Sequence, residues 1–272
     1  LELIIADDCS PDNTSDIVED IKKNHSNGSW VKYKKHVINK GMMPNFMWAL
    51  DQCQGKYISL CDGDDYWTDP LKLQKQIDFL ENNPDYTLCF HKVQILKKDG
   101  DIVEDYITKV PNNYEGINTL ITDGNYIHTP SVVFRNVITT LPFEFKQVPF
   151  GDFFLYFILA HRGKLKYIED TMAVYRSDIG LLSKMSERVM SANYVKLYSC
   201  MLSFTNNEDL KPIILDKQQE VLRSYSLQFD SEYWKLKNEY KDAFVSHHKL
   251  FKGLKYLQNS YWKFKTRSKK SD

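Results

Sequence analysis

The chain has 272 residues, 36 Lys and Arg against 36 Asp and Glu, 42% apolar residues and 14% aromatics. That is enough to bury a large core without covalent staples, and it argues against a disordered chain and, by its balanced charge, against a nucleic-acid binder. Five scattered cysteines (Cys9, Cys53, Cys61, Cys89, Cys200) without Cys-x-x-Cys spacing argue against a disulfide framework or zinc site and fit a reducing, cytosolic compartment.

Leu1-Glu2-Leu3-Ile4-Ile5-Ala6 already reads as a strand, with no initiator methionine or preceding element, so an N-terminal segment is expected to be missing. Leu3 to Ala6 ends in Asp7-Asp8-Cys9-Ser10. Turn and cap residues through Asp16 then lead into a helix carrying Ile17, Val18 and Ile21. Val31 to Val37 alternates as a strand, and Phe46, Met47, Ala49, Leu50 and Cys53 recur at helical spacing before Gly55. Tyr57 to Cys61 reads as a central strand of a parallel sheet, and it ends abruptly in Asp62-Gly63-Asp64-Asp65. Three carboxylates in four positions repel one another unless a cation or shared protons compensate, and a hard divalent metal is the simplest compensation.

Thr68-Asp69-Pro70 starts a helix through Leu80, stopped at Asn82-Asn83-Pro84, and Thr87 to Leu96 is a strand followed by a hairpin turn at 97–101. Residues 101–125 are less regular, and Ile127 to Phe134 reads as a strand. Gly151-Asp152 opens an apolar helix through Ala160, where Asp152 is either an N-cap or a reactive carboxylate. Lys164–Ile168 and Met172–Tyr175 read as two short strands. From about Ser183 helical periodicities dominate. A tail from Lys249 to Lys270 carries eight Lys or Arg and no acid among many aromatics, and it reads either as a surface for an anionic inner membrane leaflet or as a solvated helix end.

Strands alternating with helices predict an α/β layered fold, and in such folds ligands sit outside the carboxyl ends of the strands. Three acidic features at that kind of edge can face one cleft. There, one or two carboxylates suit Mg2+ or Mn2+ shared with substrate phosphates, and a carboxylate away from the metal suits a base.

The motifs Ile4-Ile5-Ala6-Asp7-Asp8-Cys9-Ser10, Asn39-Lys40-Gly41, Gly55-Lys56-Tyr57-Ile58, Asp62-Gly63-Asp64-Asp65, Gly151-Asp152 and Tyr175-Arg176, in this order, resemble the family 2 glycosyltransferases over residues 1 to about 185. The resemblance implies a GT-A-like mixed sheet sandwiched by helices in a catalytic domain over 1–184. A helical region over 185–248 and the basic aromatic tail over 249–272 would follow. It further implies an inverting, Mn2+- or Mg2+-dependent transfer from a nucleotide-sugar, with UDP expected, to a saccharide or lipid-linked saccharide in surface polysaccharide synthesis. Asp8, with Asp7 beside it, would meet the nucleobase; Asp62, Gly63 and Arg176 would contact the donor; Asp64 and Asp62 would hold the metal; Asp152 would be the base. The chain departs from the family in three places. Its first strand and helix are expected to be missing ahead of Leu1, an Arg-Asn pair has no counterpart at 45–47, and Asp178 stands where many relatives carry His. Asp178 is either a further metal ligand or the close of a surface turn. Two other readings are an inactive truncated binding domain and a haloacid-dehalogenase-like phosphatase.

Overall fold

The structure is a computed structural model that describes residues 1–177 and 185–239. Its first layer is a β-α-β unit in which β1 (Leu3–Asp7) and β2 (Val31–Lys35) pair in parallel, Leu3 opposite Val31 through Asp7 opposite Lys35. The intervening α1 (Thr14–Asn24) buries Val18. Next come α2 (Met42–Gln52), β3 (Tyr57–Ser59), β4 (Tyr66–Trp67), α3 (Lys72–Asn82), β5 (Tyr86–Leu96) and β6 (Ile102–Glu104). Then follow α4 (Ile117–Asp123), a 3-10 turn at Thr129–Ser131, β7 (Val133–Arg135), α5 (Gly151–Ala160) and β8 (Lys164–Arg176). The second sheet has the order β3-β7-β5-β8-β4, with β6 against the far end of β5. Its long central pair, β5 and β8, is parallel, whereas β3, β4, β6 and β7 join antiparallel.

The core forms around α5, whose residues Phe153 to Leu159 are all buried against Leu88, Phe90 and Leu165 of the sheet. Each large side chain so buried stabilises by about 1.5–3 kcal/mol. A smaller cluster of Leu80, Cys89 and Val133 joins α3 to the opposite face. Two later helices, α6 (Glu187–Phe204) and α7 (Leu210–Glu239), contribute Leu197, Tyr198, Met201, Leu210 and Ile214 to the α5 core. One compact unit accordingly runs from Leu1 to Leu222, and a second, Arg223–Asp272, is described as helix as far as Glu239. No helix among the described residues is long and apolar enough to cross a membrane. The basic tail over 249–272 lies outside the described residues.

Three local expectations are corrected. The strand at 57–61 is three residues long and pairs only with β7, antiparallel, so it is not the centre of a parallel sheet. Ahead of β3, the Gln54 and Gly55 amides donate to Glu2, and Asn45 Nδ2 of α2 donates to the Ala6 carbonyl of β1 at 3.0 Å. The run 127–134 breaks at Pro130 into the 3-10 turn and the short β7, because proline has no amide for the ladder. The two strands at 164–175 are one: β8 passes from Ile168, opposite His91, to Thr171, opposite Lys92, so that Glu169 and Asp170 form a bulge.

Candidate active site

The site assembles where β1, β3 and β8 end and β4 and α5 begin. Asp7 is buried, accepting hydrogen bonds from the Ser10 amide at 2.7 Å and the Tyr33 hydroxyl at 2.6 Å. Burial pushes its carboxyl up, but these donors outweigh that and hold it below the usual range. Asp8 beside it grips the next loop, accepting from the Lys40 amide at 2.7 Å and the Gly41 amide at 2.8 Å. Asp8 thus clamps the Asn39-Lys40-Gly41 loop onto the end of β1, while Asp7 ties down Ser10 and Tyr33.

Between these two contacts and Ser10, Cys9 has φ +68°, the left-handed region, at the position where the motif calls for glycine. A side chain there costs about 1–2 kcal/mol. Cys9→Gly is therefore expected to raise stability by about 1 kcal/mol, read as a higher midpoint in urea with an unchanged slope.

The second acidic group is a turn, with the Asp65 amide donating to the Asp62 carbonyl at 3.1 Å. Arg176 at the end of β8 pins it: its backbone amide donates to Asp65 Oδ1 at 2.8 Å and its Nε donates to the Asp64 carbonyl at 3.0 Å. Asp65 thereby turns inward, with Oδ2 buried and without a partner among the described residues, and desolvation first, then the neighbouring carboxylates, push it up to about 7. Asp62, Gly63 and Asp64 stay exposed at the tip. Asp62 opens to water on one side but is walled by protein on the others. Desolvation, then the charges of Asp152 and Asp64, push it up to about 6.

Asp152, in the first turn of α5, is the third acidic feature. The turn approaches α2 closely: a Cβ on Gly151 would lie 2.7 Å from the Met43 sulfur. Asn125 Nδ2 donates to Asp152 Oδ2 at 3.0 Å, and desolvation holds the Asp152 carboxyl above its ordinary value. Behind it, His128 Nε2 lies 3.0 Å from Asp105 Oδ2, and the His128 ring is 4.7 Å from that of Tyr175. The structure thus brings Asp62, Gly63, Asp64, Asp152 and Arg176 together at one edge, with Asp7 and Asp8 at the end of β1. Asp178 lies outside the described residues.

A divalent metal can be tested against this donor set. No group of three or more His, Cys, Asp or Glu is poised to chelate an ion among the described residues. Two exposed carboxylates, Asp62 and Asp64, nevertheless suit Mg2+ or Mn2+, which use one or two carboxylates and take their remaining oxygens from substrate phosphates and water. Asp62 and Asp64 fit such an ion, while Asp65 accepts through Oδ1 from the Arg176 amide.

Sequence reasoning passed over Asn125, which lies in the irregular stretch, and Tyr156, which the apolar run of α5 absorbs. It also passed over Lys72. This lysine is 1% exposed, with Nζ 3.2 Å from Ser59 Oγ and 4.4 Å over the Trp67 ring, and it makes no ion pair among the described residues. Trp67, one face covered by Lys72, donates its indole N–H to the Pro130 carbonyl at 3.0 Å. Desolvation lowers the Lys72 ammonium to about 7. Because the folded value is below the unfolded one, the penalty is full below pH 7 and fades as pH rises towards the unfolded value near 10.4. Lys72→Met is accordingly expected to stabilise the protein by a few kcal/mol at pH 6–7, with the gain shrinking by pH 10, as measured by denaturant titration at each pH.

Comparisons with known proteins bear on the family and the fold. Residues 1–141 match the family model described as glycosyl transferase family 2, just over half of the chain. An uncharacterized protein of Mycobacterium tuberculosis is 34% identical over 176 residues, 65% of this chain and 50% of that protein. The Escherichia coli UDP-Glc:alpha-D-GlcNAc-diphosphoundecaprenol beta-1,3-glucosyltransferase WfaP is 38% identical over 81 residues, 30% of each chain. The chain spans at most about half the length of these curated relatives. Among solved structures, Staphylococcus aureus TarS 1–349 in complex with UDP-GlcNAc superposes with a TM-score of 0.58 at 18% identity, covering 82% of this chain and 64% of that one. The mannosyltransferase PcManGT of Pyrobaculum calidifontis, in complex with GDP-Man and Mn2+, gives 0.54 at 14% identity, covering 90% and 74%. At these identities the superpositions establish the fold, that of the GT-A glycosyltransferases.

Proposed function

Because the chain belongs to glycosyl transferase family 2, we propose that it moves a sugar from a UDP-linked donor to a hydroxyl of a saccharide or lipid-linked saccharide in surface polysaccharide synthesis, with inversion at the anomeric carbon. The observation that carries this reading is the placement of the acidic turn Asp62–Asp65, pinned by Arg176 at the end of β8, with Asp152 of the first turn of α5 near enough for its charge to raise Asp62. A donor-side cluster and an acceptor-side carboxylate share one cleft, as a displacement at an anomeric carbon requires.

In this reading Asp8 lies at the nucleobase, with Asp7 holding its turn from beneath. Asp62, Gly63 and Arg176 line the donor. Asp62 and Asp64, with Asp178 from beyond the described residues, hold Mn2+ or Mg2+, which when bound neutralises the diphosphate leaving group. Asp152 takes the proton of the acceptor hydroxyl as its oxygen attacks. Asn125 Nδ2 donates to its Oδ2 and fixes the carboxylate that receives that proton. Work on a lipid-linked acceptor would place the protein at the cytoplasmic membrane face, with the basic segment 249–270 against anionic lipid. WfaP, whose named acceptor is lipid-linked, supports that choice. Calorimetric titration with UDP tests the donor half: binding that requires Mn2+ and disappears with a chelator is expected, and absence of heat in both conditions contradicts it.

A further inference from the structure

The acidic turn Asp62–Asp65 hangs between two strands that do not pair with each other. β3, which enters it, and β4, which leaves it, stand at opposite ends of the order β3-β7-β5-β8-β4. Arg176 pins the turn from the side of β8, the ladder partner of β4. The β3 leg is tied to the β4 leg by side chains, and these converge on the 3-10 turn and the residue after it. Three consecutive carbonyls there accept from three different elements: Pro130 from the Trp67 indole of β4 at 3.0 Å, Ser131 from Gln76 Nε2 of α3 at 2.8 Å, and Val132 from the Ser59 hydroxyl of β3 at 2.8 Å.

Lys72 closes this frame. It shares a face of α3 with Gln76, four residues on. Its Nζ donates to Ser59 Oγ at 3.2 Å and lies 4.4 Å from the centre of the Trp67 ring, so one ammonium touches both legs. The Ser59 hydroxyl gives its proton to Val132 and keeps a lone pair for this donor. Ser59 stands three residues before Asp62, and Trp67 two residues after Asp65. A buried lysine with no ion pair among the described residues costs stability, and at the first residue of α3 its charge also opposes the helix dipole. An apolar side chain would pack there at less cost, but it would not make a directional contact with both legs.

We infer that Lys72 is a positioning residue for the metal-binding turn: its ammonium bridges the two strands that carry the turn, through Ser59 on the Asp62 side and Trp67 on the Asp65 side, and so aims Asp62 and Asp64 at the metal and the diphosphate. Lys72 is enclosed and touches no substrate, so it acts only through these two strands. The inference rests on the reading of Asp62 and Asp64 as the carboxylates that hold the metal.

Calorimetric titration of the full chain with Mn2+ and UDP, run beside thermal unfolding, tests this on wild type, Lys72→Met, Ser59→Ala, Ser59→Thr and the double variant Lys72→Met with Ser59→Ala. Lys72→Met fills the same space without the ammonium. It is expected to weaken Mn2+-dependent UDP binding about fivefold, the weight of one ordinary hydrogen bond, while its unfolding midpoint rises. A merely packed side chain would not move stability and binding in opposite directions. Ser59→Ala should weaken binding at least as much, and Ser59→Thr, which keeps the hydroxyl, should restore it. The double variant should bind no worse than Ser59→Ala, because a bridge broken at one end is already lost. Wild-type binding by Lys72→Met, weakened binding that comes with a lowered midpoint, or effects that multiply in the double variant would overturn the inference. If Lys72→Met fails to fold, the Ser59 pair decides: equal binding by Ser59→Ala and Ser59→Thr overturns it. Wild type that binds no UDP in the presence of Mn2+ removes the reading of the turn as a metal site, and the bridge with it, an outcome distinct from normal wild-type binding with unaffected variants.

Discussion

Asp152→Asn is expected to lower sugar transfer by about 10²–10⁴-fold, the usual contribution of a positioned general base, while leaving the affinity for UDP and Mn2+ unchanged. The substitution preserves shape and sits in the first turn of a helix whose packing comes from Phe153 to Leu159, so the fold survives it. The Asn125 amide that donates to Oδ2 finds an amide oxygen in the same place. What disappears is a basic oxygen facing the acceptor. A base acts only in the chemical step, so the loss should appear in kcat with little change in donor KM. Full transfer by the variant would show that Asp152 only begins a helix.

Asp64→Ala is the second substitution with a large expected effect, and it falls on binding. Arg176 holds this turn through the Asp64 carbonyl and the Asp65 carboxylate, so truncating the Asp64 side chain removes an exposed carboxylate and leaves the turn pinned. UDP binding in the presence of Mn2+ should weaken by at least the roughly 10–100-fold that loss of an outer-shell partner costs a metal site. It should approach the affinity measured with chelator. A variant that binds UDP as tightly as wild type, with the same response to Mn2+, would remove Asp64 from the donor site.

The order of elements and the three acidic edges are legible in the sequence because they rest on local signals. Apolar runs, breakers such as Gly55 and Pro84, and the spacing along α5 each fix a short segment without reference to the rest. Strand pairing is not local. The short run at Tyr57 is apolar, but whether it lies at the centre or the edge depends on β7, more than 70 residues later. The β8 bulge likewise depends on its register with β5. Within the site, sequence spacing reveals that Asp62, Asp64 and Asp65 are close. Only the contact with Arg176 separates the inward Asp65 from the two carboxylates left at the tip. Asn125 escapes notice because a polar residue in an irregular stretch looks like any loop, and Tyr156 because a tyrosine in an apolar helix reads as core. His128 has its ring bonded to Asp105, while its backbone lies just before the 3-10 turn.

The most direct measurement is release of nucleoside diphosphate from a panel of nucleotide-sugars by the full chain, with Mn2+ or with a chelator, alongside a generic phosphoester. Metal-dependent release from a UDP-sugar, accelerated by a saccharide acceptor and absent in Asp152→Asn, is the predicted result. Phosphate release from the phosphoester with no turnover of any nucleotide-sugar would contradict the account and favour phosphatase chemistry at the same carboxylates.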